Sequence, residues 1–211
     1  MRKGRAALAL LSLVLTVLAF AACKGGGGKT SSGPSPEEVT KQAIELLREH
    51  NTRANGGKSW RWVISPIPIW FDPGIARADV EGGIGLWMGA VPALRFEIAA
   101  GPRSSGIEML FTTIDTHSGV LHCLGACACM LGTNFNRPVP NVASFATILI
   151  DNTRSCRDYV ATIAHEIGHA IGIGGHPNDG SVMATTASRS VSPALREALL
   201  LLYTNPPGTV F

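Results

Sequence analysis

The run His165-Glu166-Ile167-Gly168-His169-Ala170-Ile171-Gly172-Ile173-Gly174-Gly175-His176 constrains this chain more than any other stretch. Residues four apart on a helix share a face, with Cβ atoms about 5–6 Å apart. His165 and His169 can therefore turn imidazole nitrogens toward one point, as a small tetrahedral cation such as Zn²⁺ requires. Glu166 follows one histidine and precedes the other by three, so it flanks that face without being a ligand. From there it can take a proton from metal-activated water. The flanks support a helix, because Tyr159, Val160, Ile163, Ile167, Ala170 and Ile171 form an apolar stripe beside the histidines. Gly172 supplies the left-handed residue that ends a helix, after which the chain can swing back and deliver His176 as a third ligand. Three protein ligands with one open position describe a catalytic zinc site rather than a structural one.

With Ser181-Val182-Met183 downstream, the pattern resembles the metzincin signature H-E-x-x-H-x-x-G-x-x-H and its methionine turn. The resemblance implies an α+β, zincin-like fold: a mixed twisted sheet packed on the active-site helix, then a small C-terminal subdomain ending in a helix. The catalytic domain would span residues 59–211, its cleft lying between about 59–175 and 176–211. The resemblance further implies one Zn²⁺, Glu166 as general base, Met183 as the apolar floor and a peptide substrate bound extended against a sheet edge. One departure stands out. The signature's third histidine falls on Gly175, and His176 comes one residue late, so the extra glycine is expected to form a bulge. Glu197 and Asp179 are the alternative third ligands, and a non-catalytic zincin-fold binding lipoprotein is the alternative function.

The chain has 211 residues, enough for one well-buried domain, and no repeat is visible. Its formal charge of +3 arises from Arg2, Lys3 and Arg5; the remainder is balanced, so no electrostatic case for nucleic acid remains. The basic start and the apolar run over 6–22, broken only by Ser12 and Thr16, read as an export signal. Its end, Ala21-Ala22-Cys23, is similar to the bacterial lipobox, with Phe20 where leucine is usual. That similarity implies cleavage before Cys23, acylation of this cysteine and anchoring to the bacterial cell envelope, since several acyl chains attach stably where one does not. A plain secretory signal and an uncleaved membrane helix are the alternatives. Residues 23–36, rich in Gly, Ser and Pro, read as a flexible tether. A monomer is expected.

Four further cysteines, Cys123, Cys127, Cys129 and Cys156, suggest two disulfides in an exported protein. Cys127 and Cys129 are too close to favour each other, so one of them is expected to reach Cys156. A second metal site using thiolates with His117 or His122 is the competing reading. Asp115, His117 and His122 also resemble the matrixin loops that hold structural Ca²⁺ or a second Zn²⁺, although the spacing differs. Loop residues pinned by disulfides are the preferred reading.

Periodicity places a short amphipathic helix at 36–50, within an N-terminal helical segment reaching residue 58. It would pack on the domain or act as a small pro-segment. Strands are expected at 60–64, 94–98, 107–114 and 146–151, the last running directly into the active helix. A glycine-weakened helix is expected at 79–89, with Trp87 in the core. Residues 112–140 carry no clear pattern. Ser192-Pro193 opens a final helix with buried Leu195, Leu199 and Leu202. The order of elements resembles a matrixin catalytic domain. Pro177 is similar to serralysins, but Thr185 stands where serralysins carry a tyrosine.

Overall fold

Two Ser-Pro steps set both ends of the structure. Ser35 accepts the Glu38 N–H at 3.2 Å and Pro36 opens helix α1, Pro36–Leu47. Ser192 accepts the Leu195 N–H at 3.2 Å and Pro193 opens helix α4, Pro193–Thr204. A hydroxyl cap followed by proline satisfies a free N–H and presets the first helical φ. The two helices pack together through buried Ala43, Leu46 and Leu47 on one side and Leu195, Leu199 and Leu202 on the other. The N-terminal segment therefore belongs to the same compact unit as the rest, residues 34–211. The structure is a computed structural model that describes residues 33–116, 123, 125–135 and 139–211. The export signal, Cys23, nearly all of the tether, His117 and His122 lie outside the described residues.

The unit is α+β. Among the described residues a five-stranded mixed sheet runs in the order β2-β1-β3-β5-β4 and is accompanied by four α-helices. Strands β1 (Ile67–Phe71), β2 (Phe96–Ile98), β3 (Gly106–Thr112) and β5 (Ala143–Asp151) are parallel, and β4 (Ala128–Phe135) closes one edge antiparallel to β5. The β3–β5 ladder is the longest, from Gly106 opposite Phe145 to Thr112 opposite Asp151. Both faces of β5 are covered: Ile148 and Ile150 join the main core, while Leu149 joins a smaller cluster with Ile114, Cys123 and Cys129. Burial on both faces explains the consecutive apolar residues Ile148, Leu149 and Ile150 of this strand.

Three expectations are corrected. Residues 60–64 form no strand; only Arg61 bridges, to Val142. The neighbouring strand is β1, an inner one in spite of Pro68. Ile67 donates to Arg95 O and Ile69 accepts from the Ala99 N–H, both toward β2, and pairing with β3 begins only at Ile69. The N–H that proline lacks is thus not needed there. Residues 128–135, inside the stretch without pattern, form β4. Its register shifts between Met130 and Gly132 and again between Asn134 and Phe135, and such bulges erase the alternation by which a strand is read. Finally, β5 does not run directly into the next helix: residues 152–158 intervene, tied to β5 by Asp151. That carboxylate, fully buried, accepts from Ile114 N–H, Thr153 N–H and Oγ1, and Arg154.

Helix α2 (Arg77–Ala90) contains the glycines that weaken it, and two of them, Gly82 and Gly83, have a purpose in packing. A Cβ on Gly83 would lie 3.0 Å from Ile163 Cγ2 and 3.1 Å from the Ala164 nitrogen; one on Gly82 would lie 3.0 Å from Val160. These glycines let α2 approach helix α3, Tyr159–Ala170, at backbone distance.

Candidate metal centre

Helix α3 carries the histidines and is fixed at both ends. Asp158 caps it, accepting the Ala161 N–H at 3.0 Å, and Arg189 grips the same carboxylate at 2.7 and 2.9 Å. These partners hold the Asp158 carboxyl below its ordinary range, Arg189 foremost. At the other end, carbonyls without a partner in the helix find side-chain donors, as a sequestered helix terminus must. Trp62 Nε1 donates to Ala170 O at 2.8 Å and Tyr203 Oη to Ile171 O at 3.0 Å, while Trp87 Nε1 reaches Ala164 O, in the middle of the helix, at 2.7 Å. Gly172 then takes φ +127°, where a side chain would be strained, and the chain turns back.

His165, His169 and His176 bring their Nε2 atoms together. His165 Nε2 is 3.1 Å from that of His169 and 3.1 Å from that of His176. The outer nitrogens of the first two are engaged: Nδ1 of His165 donates to Val182 O at 2.7 Å and Nδ1 of His169 to Ile173 O at 2.6 Å. A carbonyl only accepts, so both Nδ1 atoms carry the proton and both Nε2 lone pairs face inward. Lone pairs opposed at this distance repel unless a cation lies between them. Zn–N bonds of about 2.0–2.1 Å at a tetrahedral angle set ligand nitrogens about 3.3 Å apart, close to the spacing found. Burial lowers the His165 pKa, and burial with the neighbouring histidines brings His169 down to about 4, which favours the uncharged ring at these two positions. A neutral imidazole is the ligand form. These three residues can hold a metal ion.

Glu166, only 7 % exposed, faces the same space. Burial raises its carboxyl to about 7, opposed only by the Met130 N–H, which donates to it from β4. The Met130 position borders the first β4 bulge, and bulges re-aim backbone groups in this way.

Met183 is fully buried beneath α3. Gly168 makes this possible: a Cβ there would overlap the Met183 sulfur and stand 2.8 Å from Trp87 Cζ2. The turn itself is held by Ser181 Oγ, which accepts the Met183 N–H at 3.2 Å, and by Asp179, which accepts from Ser181 N–H and Ser192 Oγ. Asp179 thus spends both oxygens on the loop. Among the described residues the donor group contains neither Asp179 nor Glu197. Gly174 and Gly175 do not use positive φ; each leaves room for His50, which lies against them.

A cleft of about 780 Å³ opens over the triad. One wall is β4, from Ala128 to Met130, and the other is Thr185, Thr186 and Ala187. Cys127 pairs with Cys156 (Cα–Cα 5.7 Å) and Cys123 with Cys129 (5.9 Å), and all four border the cleft. The expectation that Cys127 or Cys129 reaches Cys156 is met. Asp115, considered for a structural ion, is instead paired with Arg154 and accepts the Gly125 N–H.

Sequence reasoning did not find the Met130 N–H, the orienting carbonyls of Val182 and Ile173, or the Asp158–Arg189 clasp. Backbone groups leave no residue signature. A mid-helix glycine at 168 was the one available signal for the Met183 notch. No protein-family model matches the chain, and a search of curated proteins finds no match.

Proposed function

We propose that this chain is a zinc-dependent endopeptidase of metzincin type, matrixin-like, exported and carried on the bacterial cell envelope through acylated Cys23. The observation that carries the reading is the convergence of three imidazole Nε2 atoms beside a buried glutamate. Bound zinc supplies Lewis acidity toward a peptide carbonyl and toward water. Everything else falls to the chain. Val182 O and Ile173 O keep His165 and His169 in the ligating tautomer. Glu166 takes the proton of the attacking water and returns it to the leaving amine, a task suited to a pKa near neutrality. The Met130 N–H orients its carboxylate. Met183 holds the α3 face from below and moves no proton.

The β4 edge that borders the cleft suits an extended peptide, bound through main-chain hydrogen bonds, with the segment 184–191 opposite, of which Thr185, Thr186 and Ala187 line the cleft. Two cysteine pairs at bonding distance support an oxidising compartment.

The test compares full-length chain with Glu166→Gln for zinc content and for cleavage of a mixed peptide library. The variant is expected to keep its zinc and lose about 10²–10⁴-fold in rate. Equal cleavage by both proteins, or no cleavage by zinc-loaded parent, overturns the reading.

A further inference from the structure

His176 is the exposed member of the triad. Among the described residues its Nδ1 has no hydrogen-bond partner, unlike those of His165 and His169. Its ring is therefore aimed by the backbone that leads into it, residues 172–175. That backbone is held from the N-terminal segment.

After α1 the chain makes a π-helical turn, Arg48–Thr52. Such turns offset the residues beyond them and recur at functional sites. Here the offset presents His50 and Asn51 to the 172–175 loop. Asn51, only 1 % exposed, donates from Nδ2 to Gly172 O at 2.8 Å and to Trp60 O at 3.0 Å, and its Oδ1 accepts the Trp60 N–H at 3.1 Å. The His50 carbonyl accepts the Gly174 N–H at 2.5 Å. The His50 ring covers Gly175, where a Cβ would overlap its Nδ1 and lie 2.8 Å from its Cε1. Three of the four residues before His176 are thus fixed by two consecutive residues from the opposite end of the chain.

We propose that the His50 carbonyl and the Asn51 side chain position the third metal ligand, with Gly175 leaving room for the His50 ring. The N-terminal segment is a permanent brace of the centre, not a removable pro-segment. The brace also accounts for the one-residue delay of His176: the added glycine lets the loop lie flat against His50. This inference rests on the zinc-site reading above.

The test uses full-length chain, a competing chelator to obtain the zinc Kd, and the visible spectrum of the Co²⁺-substituted protein to report coordination. Gly175→Ala is expected to weaken zinc binding about 10–100-fold, the usual effect of losing an outer-shell support, and to change the Co²⁺ bands at saturating metal. Adding His50→Ala removes the ring, keeps the His50 carbonyl, and is expected to restore both. Asn51→Ala is expected to act as Gly175→Ala does; if it does not fold, the Gly175–His50 comparison decides alone. Parental Kd and spectrum in Gly175→Ala, or a defect that His50→Ala leaves unrelieved, overturns the brace. Unaltered zinc binding by His165→Ala would instead overturn the metal site itself.

Discussion

Glycine-to-alanine substitutions at Gly85 and Gly168 should have opposite signs, although both residues sit inside helices. In an exposed helix interior alanine is favoured over glycine by about 1 kcal/mol. Gly85 is exposed, and a Cβ there would meet nothing within 4 Å, so Gly85→Ala should gain about that amount. At Gly168 the same intrinsic gain is set against a methyl group driven into the Met183 sulfur and toward Trp87. Both neighbours are fully buried and Trp87 Nε1 is committed to Ala164 O, so the Met183 thioether has little room into which to move. Overpacking of this kind costs about 1–3 kcal/mol. The balance is a net loss of about 0–2 kcal/mol. For a domain of this size each kcal/mol moves Tm by about 2–4 °C. Urea unfolding and thermal scans of the two variants should therefore separate them by about 2–12 °C, with Gly168→Ala the less stable. Gly83→Ala should side with Gly168→Ala, since its Cβ would press on the Ala164 backbone. If Gly168→Ala stabilised the protein as Gly85→Ala does, the packing of Met183 into the α3 notch would be wrong.

Asp151 should govern acid stability. Burial pushes its carboxyl up, but the donors Thr153 and Ile114 and the Arg154 charge outweigh this and hold it at about 2, against an ordinary 3.8. A folded value below the unfolded one gives stability that is present above pH 4 and lost as pH falls toward 2, about 2 kcal/mol in all. Asp151→Asn should thus be less stable than parent at pH 6 and approach it below pH 3, followed by circular dichroism; a gap that persists at pH 2 counts against this. Asp158→Ala, which removes a helix cap, should cost about 1 kcal/mol, whereas Arg189→Ala, an exposed half of the same ion pair, should cost less. Denaturant midpoints of the two variants in the reverse order would refute the assignment. Zinc at a hundredfold excess over its Kd should stabilise by about 2.7 kcal/mol. Scanning calorimetry should show that rise in parent and none in His165→Ala.

The two-histidine face, its glutamate, the later His176 and the Met183 turn were legible because they are local. Helical periodicity alone brings His165 and His169 to one face with Glu166 flanking it, and Ser192-Pro193 announces a helix through its own cap. The apolar run of β5 was equally plain, being buried on both faces. What tertiary structure alone decided is non-local. Residues 128–135 become a strand only by pairing with β5, and their bulges hide the alternation that would have announced it. Pro68 is tolerated in an inner strand because β3 starts pairing one residue later. Gly82, Gly83, Gly168 and Gly175 read as weaknesses or turns until the neighbours arrive; each then proves to be room left for Val160, Ile163, Met183 or His50. The sequence by itself determined which atoms are present to ligate a metal and accept a proton. Only the fold decided how they are aimed, because carbonyls, backbone N–H groups and a brace from 121 residues away leave no mark at the positions they hold.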